Sequence, residues 1–553
     1  MLREIVKAQI VEQILRPQSY DSALGRRKFS VLILDKVAMK VVNSCLALNE
    51  VFELGVTLVE DLTRNREPMP SMEAIYIIVP TMESVQLLVN DFTPRTRYGP
   101  RNAYKQANVY FLEPCEDDVF MKLVPLKKYC GALKEFTLSF IPMEKQIFAV
   151  SNPDVARTTN GIVSLCSSLN IYPVLSAEIC YRVDQKLKDL QRNQPAISVD
   201  NDSQLIILDR SFDLISPLLH ETTLQAMASD LCNFKNGIYQ YTADNREQKV
   251  VPLDESDSMW IELRHKHIAE VLQRVAEITR ETTRSARTLD DNASIRELGE
   301  TIRQLPASQR KVGKLAAYLN LADECRVKFF ESLQDIILLE QDMVTGHTPE
   351  GVKLKDAPTV GRLSKLILPA VPIEIRLRLI LIYMLTVGKD KDEQFFDRLL
   401  NLTDIPEDEH KVIKKMLRWR NQAHSAHPHR ERPLSTEERF PSSRWEPKVR
   451  DVLRDVVDNR LNEREFRYVG SRPQVSRDQN VPSSARFTSA LSGGRPRDRK
   501  RKIIIFIVGG MTHSEMKVAY EMSEATNTTI YLGSDSVLTP NEFLGTLRGT
   551  DNE

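Results

Sequence analysis

The chain has 553 residues, which at about 100–200 residues per domain suggests about three domains. Hydrophobic residues make up 42% and charged residues 27%, the composition of an ordinary globular protein. Lys and Arg together number 76, as do Asp and Glu together, so the formal net charge is zero. A nucleic acid is therefore disfavoured as the main partner, because neutralising phosphates requires a basic excess.

Cysteine usage and the N-terminus indicate the compartment. The seven cysteines are scattered and form no CxxC pair, which indicates free buried thiols in a reducing environment. The first stretch, MLREIVKAQIVEQILRP, mixes charged and apolar residues at helical spacing, so it predicts an amphipathic helix rather than a signal peptide. No apolar run reaches the ~18 residues of a membrane helix. We therefore expect a cytosolic protein without direct membrane insertion.

Residues 28–142 alternate between strand and helix patterns. KFSVLILD (28–35) is a continuous apolar run of the kind found in buried parallel strands. The predicted strands are 28–35, 56–62, 74–80, 108–114 and 136–142, with a helix at 82–92. This rhythm predicts a doubly wound parallel sheet.

A second α/β region begins at 147, but its strands are too few for a sheet. Further predicted strands that could join the apolar strand 204–210 in a sheet occur only near the C-terminus, at 503–510 and 528–534. We therefore expect a discontinuous second domain with a helical insertion. The predicted domains are an α/β domain at 1–138, a discontinuous α/β domain at 139–248 together with 500–553, and a mostly helical domain at 249–480. A loop at 421–441 and a flexible linker at 470–500 are predicted from their polar, Pro-bearing composition.

The helical insertion contains a long predicted helix at 314–345 that has no Gly or Pro. Its apolar residues recur at helical spacing, which indicates one buried stripe. They are Leu315, Leu319, Ala322, Phe329, Leu333 and Ile336. A loop with three glycines and Pro358 follows, and together these elements predict a hairpin near 314–362.

No sequence motif for a cofactor or a metal is present. Neither GxGxxG nor GxxxxGK[ST] occurs, so no phosphate-binding loop is encoded. VGGMT (508–512) follows a strand and is interpreted as a tight strand–helix turn. The histidine clusters around 265–267 and 424–429 do not match zinc spacing. We expect no cofactor and no enzymatic activity.

Asp209, Arg210 and Asp213 follow the strand 204–210, where catalytic carboxylates often lie. They could bind a metal, or they could form an ion-paired junction between domains, with Arg210 as the partner that buried carboxylates require. His220 and Glu221 could extend such a network. The residues themselves favour the structural interpretation.

Several long segments in the correct order resemble the Sec/Munc (SM) family of syntaxin-binding proteins. They are IILDRSFDLISPLLHETTLQAM (206–227), DSMWIELRHKHIAEV (257–271), GVTLVEDLTRNREPMPSMEAIYIIVPT (55–81), SRWEPKVRDVL (443–453) and IIIFIVGGMTHSEM (503–516). The likeness covers almost the whole chain and is greatest to the exocytic, neuronal-type Munc branch. Within 206–227, the resemblance marks Asp209, Arg210, Asp213, Pro217, His220 and Glu221 as a structural signature.

The resemblance implies a three-domain arch made of two doubly wound α/β domains, the second discontinuous, and a large helical domain. It implies a monomer that forms a heterodimer with a syntaxin-type SNARE, holding the SNARE in its closed form and also binding its N-terminal peptide. It also implies a role in assembling the SNARE bundle for vesicle docking and fusion in exocytosis, at the cytoplasmic side of the plasma membrane. The alternatives are a family member of Golgi or endosomal trafficking and, less favoured, a nucleotide-dependent enzyme.

The resemblance also assigns residues to three partner surfaces. The cavity face is Lys40, Glu60, Arg64 and Arg66. The pocket for the SNARE N-terminal peptide is Phe120, Cys130 and Glu135. The SNARE-templating hairpin is Leu333, Ile337 and Pro358. Pro358 is interpreted as a hinge, because proline disfavours helix at the preceding residue, and Pro358→Ala is expected to lengthen the helix and promote SNARE assembly.

Overall fold

The chain forms two compact units in the computed structural model. The described residues are 1–21, 26–93, 102–151, 154–176, 180–193, 197–242, 247–287, 314–403, 405–423, 440–462, 466, 468–469 and 500–549. Unit 1 comprises Met1–Asp209, Arg454–Met511 and Ala519–Ser536, and unit 2 comprises Arg210–Leu453, Thr512–Val518 and Val537–Glu553. Unit 1 contains the predicted domain 1–138 and part of the predicted second α/β domain, whose segments 210–248, 512–518 and 537–553 belong to unit 2. The division into three domains therefore stays a prediction. The predicted loop 421–441 and linker 470–500 lie largely outside the described residues.

Unit 1 begins with the predicted amphipathic helix. It runs as an α-helix over Leu2–Ile10 and continues through the π-helical turn Val11–Leu15 into Arg16–Gln18. Its buried side chains follow helical spacing, as Leu2, Val6 and Ile10 show. A two-stranded pair, Tyr20–Asp21 with Arg26–Arg27, follows it.

The first sheet of unit 1 is five-stranded and parallel. From edge to edge its strands are Val56–Asp61, Ser30–Leu34, Met69–Ile78, Tyr104–Phe111 and Cys130–Glu135. The chain order 2-1-3-4-5 is that of a doubly wound sheet. The helical segments beside it are Lys36–Cys45, Leu48–Glu53, Met82–Asn90, Asp117–Met121 and the 3₁₀ turn Val124–Lys128.

Helices cover both faces of this sheet because successive side chains of a strand point to opposite sides. Leu32 and Leu34 belong to the same apolar core as Val41 of the helix Lys36–Cys45. Val31 and Ile33 belong instead to the core that contains Leu88 of the helix Met82–Asn90. Strands buried on both faces explain the continuous apolar run in the sequence.

The predicted fifth strand, 136–142, is wrong. The strand lies at Cys130–Glu135, and within the predicted range only Ile141–Pro142 is extended into a strand. CGALKE carries little apolar signal because this strand lies at the edge of the sheet and exposes most of its side chains.

The second sheet of unit 1 has seven strands. Their order is Tyr468–Val469, Ile171–Ser176, Ser198–Asp209, Arg501–Val508, Thr528–Ser534, Ile147–Ala149 and Ile141–Pro142. The central strand Arg501–Val508 pairs in parallel with Ser198–Asp209, from Gln204 opposite Ile503 to Asp209 opposite Val508. The prediction that C-terminal strands complete this sheet is therefore confirmed. Its helices are Val155–Ser168, Cys180–Asn193 and His513–Ala525, of which the last has its residues 513–518 in unit 2.

Unit 2 is mostly helical and has one large apolar core. Its helices are Leu224–Leu231, Ser258–Leu263, Ile268–Arg287, 314–328, Gln334–Thr345, Asp356–Leu366, Ile373–Leu385, Glu393–Leu402, His410–Ala423, Val449–Val457 (which extends into unit 1) and Pro540–Arg548. Three short 3₁₀ turns lie at Arg210–Phe212, Ser216–Leu218 and Glu407–Glu409. A small antiparallel sheet is formed by Phe234–Lys235, Ile238–Thr242 and Gln248–Pro252.

The predicted long helix 314–345 is interrupted by a π-helical segment at Phe329–Leu333. Most of the predicted apolar stripe is buried, but Leu319 is 40% exposed. Tyr318 and Leu321 are buried in its place, because the buried face of this helix is wider than a single stripe.

Candidate functional site

The signature segment is organised around a buried ion pair between Arg210 and Glu515. Arg210 directly follows the strand Ser198–Asp209, and Glu515 lies in the first turn of the helix His513–Ala525. Nη1 and Nη2 of Arg210 donate to the two Glu515 carboxylate oxygens at 2.9 and 2.8 Å. The Arg210 Nε and Nη2 also donate to the Asp213 carbonyl, at 3.1 and 2.7 Å. This bidentate geometry compensates two charges that are almost entirely removed from water.

The Asp213 carboxylate is fully buried and accepts four hydrogen bonds. Oδ1 accepts from the backbone N–H groups of Ile215 and Ser216, both at 3.0 Å. Oδ2 accepts from the Ser216 hydroxyl at 2.6 Å and from the Lys448 backbone N–H at 3.0 Å. Burial alone would raise the pKa of Asp213, but the charges of Arg210 and Lys448 and these hydrogen bonds lower it. Asp213 therefore stays ionised and holds the turn together.

The same segment contacts the helix Gln334–Thr345 through His220. The His220 Nδ1 lies 2.8 Å from Oε1 of Glu340, and the His220 backbone N–H donates to Oε2 at 3.0 Å. Both side chains are buried, and Pro217 in the turn Ser216–Leu218 is buried as well. Glu340 was not predicted from the sequence, although a glutamate at the end of the apolar run IILLE indicates a buried polar contact.

Glu221 lies at a small cavity that is also lined by Pro217, Asp230 and His513. Its Oε1 accepts from the Ser514 backbone N–H at 3.0 Å, at the start of the helix His513–Ala525. Burial raises the pKa of Glu221 to about 7. Burial also lowers the pKa of His513 to about 4. Asp209 is exposed at the end of its strand.

The segment SRWEPKVRDVL joins the same network. The backbone N–H groups of Arg444 and Trp445 both donate to Oε1 of Gln341 at 2.8 Å, and the Trp445 indole donates to the Ser216 hydroxyl at 2.9 Å. The Arg444 guanidinium pairs with Asp342. Three of the sequence segments that carry the resemblance thus meet through buried hydrogen bonds. The metal interpretation of Asp213 loses its basis, because all its acceptor capacity is used by protein donors.

Two of the four residues predicted for the cavity face in unit 1 are exposed, and the other two are partly buried. Lys40 and Arg64 are exposed. Glu60 is partly buried and accepts from the Tyr104 hydroxyl at 2.9 Å. Arg66 is half-buried, with its side chain 7% exposed. Its Nη2 donates to Asp91 at 2.6 Å, and its Nη1 donates to the carbonyls of Asp61 and Leu62. The idea that Arg66 offers its guanidinium to a partner is therefore corrected, because that group already holds its own loop.

The predicted peptide pocket lies at the edge strand Cys130–Glu135 of the first sheet. Phe120 is 46% exposed on the helix Asp117–Met121. Glu135 accepts from the backbone N–H of Cys115 at 2.9 Å, which brings the start of that helix to the end of the strand. Cys130 lies at the opposite end of the strand, so Cys115 rather than Cys130 is the cysteine beside Glu135. Exposed apolar neighbours extend the surface: Met121, Val124 and Leu133.

The structure places the residues of the predicted templating hairpin in two settings, the core of unit 2 and a helical turn. Leu333 and Ile337 are 3% and 1% exposed, so both pack into the core of unit 2. Phe330, which precedes Leu333 in the π-helical segment Phe329–Leu333, is 58% exposed. Pro358 lies in the first turn of the helix Asp356–Leu366 and Ala357 before it is helical, so no hinge precedes it. The preceding helix ends at Gly346, whose φ of 74° is left-handed.

The backbone of the VGGMT turn binds the carboxylate of Asp535. The backbone N–H groups of Gly509 and Gly510 donate to Oδ1 of Asp535 at 3.0 and 2.7 Å. Both glycines have positive φ, at 94° and 98°. Asp535 thus occupies the position at this strand–helix turn where a phosphate would bind in a nucleotide site, which supports the tight-turn interpretation. Separately, none of the helices in the described ranges has the length and apolarity needed to span a membrane.

The Sec1 family model matches residues 30–546. The chain is 30% identical to "Protein transport protein sec1" of Dictyostelium discoideum, over 100% of this chain and 99% of that protein. It is 25% identical to "SNARE-interacting protein KEULE" of Arabidopsis thaliana, over 99% and 95% of the two chains. Among solved structures, it is similar to the Unc18–syntaxin 1 complex of Monosiga brevicollis, with a TM-score of 0.83, 25% identity and 99% coverage of both chains.

This chain, an α/β protein with a large helical part, belongs to the Sec1 family of SM proteins. Its homologues are SNARE-regulating proteins rather than enzymes, and this chain is not an enzyme. The resemblance drawn from the signature segments is thereby confirmed.

Proposed function

We propose that this chain regulates SNARE-mediated vesicle docking and fusion by binding a syntaxin-type SNARE. The observation that carries the proposal is the full-length likeness to Unc18, a relative whose solved structure is a complex with syntaxin 1. We further propose the exocytic role, at the plasma membrane, over Golgi or endosomal trafficking. The 30% identical relative named sec1 supports that choice.

The first proposed contact surface is the exposed cationic part of unit 1 around Lys40 and Arg64. Arg64 extends from the turn that Arg66 fastens to Asp91, so the turn is rigid while the Arg64 guanidinium is accessible. An exposed guanidinium on a fixed backbone suits bidentate contacts with carboxylates. The partner expected here is an acidic face of a SNARE helix, such as the closed form presents.

The second proposed surface is the apolar patch around Phe120, beside Glu135. Large exposed apolar side chains next to each other indicate an interaction site. Phe120 and Met121 are 46% and 65% exposed, and the Glu135 carboxylate offers a negative charge. A short peptide with an apolar residue and a positive charge, such as a SNARE N-terminal peptide, fits these properties.

The third proposed surface is the exposed part of the hairpin helix, which comprises the helix 314–328, the π-helical segment Phe329–Leu333 and the helix Gln334–Thr345. Because Leu333 and Ile337 are buried, Phe330 replaces them as the residue offered to an assembling SNARE bundle. Phe330 lies in the π-helical segment Phe329–Leu333, and such segments are frequent at functional sites.

The proposal is tested by binding of the full chain to a panel of syntaxin-type SNARE cytosolic segments from plasma membrane, Golgi and endosome. Tight binding of a plasma-membrane SNARE supports the exocytic role, and preference for a Golgi or endosomal SNARE overturns that part. Arg64→Glu should weaken binding by about tenfold, since a charge reversal at a contact is worth ~1.4 kcal/mol or more. The matched control is Arg182→Glu, an exposed arginine on the helix Cys180–Asn193. Absence of binding to every SNARE would contradict the proposal.

A further inference from the structure

Two cysteines of unit 2 lie side by side although they are 93 positions apart in the chain. The Sγ atoms of Cys232 and Cys325 are 3.7 Å apart. Cys232 is the residue after the helix Leu224–Leu231 and is half-buried, whereas Cys325 in the helix 314–328 is fully buried. Residue Cys232 is thus partly exposed to solvent, whereas the Cys325 sulfur is buried against the Cys232 sulfur.

The backbone around both cysteines is fixed by polar contacts. Lys328 donates to the carbonyl of Leu231, next to Cys232, and to the carboxylate of Glu324, next to Cys325, the latter at 2.7 Å. The Tyr239 hydroxyl donates to the other Glu324 oxygen at 2.8 Å. These contacts hold the two chain segments together whether or not the sulfurs are bonded, so the sulfur–sulfur approach does not depend on chance side-chain motion.

We propose that Cys232 and Cys325 are an oxidation site at which a hydroperoxide generates a reversible disulfide. A disulfide bond is about 2 Å long, so each sulfur has to move by less than ~1 Å, which a small rotation about the Cα–Cβ bonds supplies. In reducing compartments, disulfides of this kind are usually transient and redox-sensing. Nothing in the proposed SNARE-binding role requires this chemistry, and the site lies outside the three contact surfaces.

The reaction balances without a further reactant. Cys232 first loses its proton to solvent, and its thiolate attacks the terminal oxygen of the hydroperoxide. The O–O bond breaks, and the leaving alkoxide (hydroxide, for hydrogen peroxide) takes up a proton from solvent and departs as an alcohol (water), giving a sulfenic acid on Cys232. The Cys325 sulfur then attacks the Cys232 sulfur. The S–S bond forms, the S–O bond breaks, and hydroxide leaves as water with the proton from Cys325. The two thiols are oxidised by two electrons in total, and the peroxide is reduced by two.

The roles of the two thiols follow from their surroundings. Its hydrogen bond with Cys232 and its burial both raise the pKa of Cys325 well above the usual range of a thiol. Cys325 therefore keeps its proton until Cys232 has been oxidised, and it acts second. The bond would tie the hairpin helix covalently to the segment after Leu231, and so would stabilise the conformation seen here.

The experiment uses the full-length chain, reduced, freed of reductant and treated with limiting hydrogen peroxide. Remaining thiols are alkylated and the peptides are mapped by mass spectrometry. The expected product is a Cys232–Cys325 peptide pair lighter by two hydrogens, which disappears on addition of dithiothreitol. Oxidation should also raise the midpoint of thermal unfolding reversibly, because a cross-link over a long loop restricts the unfolded chain.

Matched variants separate this site from general oxidation. Cys232→Ser should abolish both the peptide pair and the rise in midpoint, whereas Cys115→Ser, which changes a half-buried thiol of unit 1, should leave both unchanged. The proposal is overturned if wild-type Cys232 and Cys325 both remain alkylatable, or if Cys232 advances to sulfinic acid without the cross-link. Because the wild-type map requires no variant and no SNARE, its result is independent of how Cys232→Ser folds and of the proposed function.

Discussion

Arg210 and Glu515 lie 305 positions apart and meet through two parallel hydrogen bonds of 2.9 and 2.8 Å inside unit 2. The pair connects the start of the signature segment with a helix that the chain reaches only after the whole helical insertion. The start of the most characteristic segment of the sequence therefore has a structural role.

Glu515→Ala is expected to destabilise the protein by about 3–5 kcal/mol, because it leaves the buried Arg210 charge without its partner. Denaturant unfolding measures the change. The control is Glu524→Ala, an exposed glutamate on the same helix, which should stay within about 0.5 kcal/mol of wild type. Equal unfolding curves for the two variants would show that the pair contributes no stability.

More of the fold than of the candidate site could be predicted from the sequence. The strand Ser30–Leu34 and residues 503–507 of the strand Arg501–Val508 are buried, and their continuous apolar composition predicts this burial. The partners of Arg210 and His220 could not be read in this way, because Glu515 and Glu340 come close only after the chain has closed on itself. A pattern of residue types shows that a buried charge needs a partner, but not which one it finds.

Glu221 gives stability a pH dependence of its own. Its pKa is about 7 in the folded protein and about 4.3 when unfolded, so between these values only the folded state holds the proton. Stability should therefore fall as the pH rises from about 5 to 8, by up to ~3 kcal/mol from this group. Glu221→Gln keeps an acceptor for Ser514 but cannot ionise, so it should gain stability relative to wild type over this range. The difference between the two unfolding free energies at pH 5 and pH 8 is the measurement, and a constant difference would contradict the prediction.

Arg64 and Arg66, two positions apart, should separate binding from stability. Arg66→Ala leaves the buried Asp91 carboxylate with the Tyr76 hydroxyl but without the cation, so we expect a loss of about 3 kcal/mol. Arg64→Ala removes an exposed side chain and should change stability by less than about 0.5 kcal/mol. Unfolding and SNARE binding are measured on both variants. If Arg64→Ala unfolds the turn, or if Arg66→Ala has no effect on stability, the assignment of Arg64 to SNARE binding and of Arg66 to stability is wrong.

The end of the hairpin helix is set by Gly346 rather than by Pro358. Gly346 has a φ of 74°, its N–H bonds to the Asp342 carbonyl, and its own carbonyl accepts from Leu354, so the chain turns back at this residue. A Cβ at Gly346 meets no neighbouring atom within 4 Å, and Gly346→Ala should therefore cost only the left-handed conformation, about 1 kcal/mol.

Gly346→Ala should also favour extension of the helix into the following loop, since alanine prefers the helical conformation to the left-handed one. Pro358→Ala should leave the loop unchanged, because a proline in the first helical turn replaces an N–H that needs no partner within the helix. Hydrogen exchange of the loop between Gly346 and Lys355 distinguishes the two: protection should rise in Gly346→Ala and stay at the wild-type level in Pro358→Ala. Unchanged liposome-fusion kinetics in Pro358→Ala would agree with this assignment, whereas loop protection in that variant would restore Pro358 as the hinge.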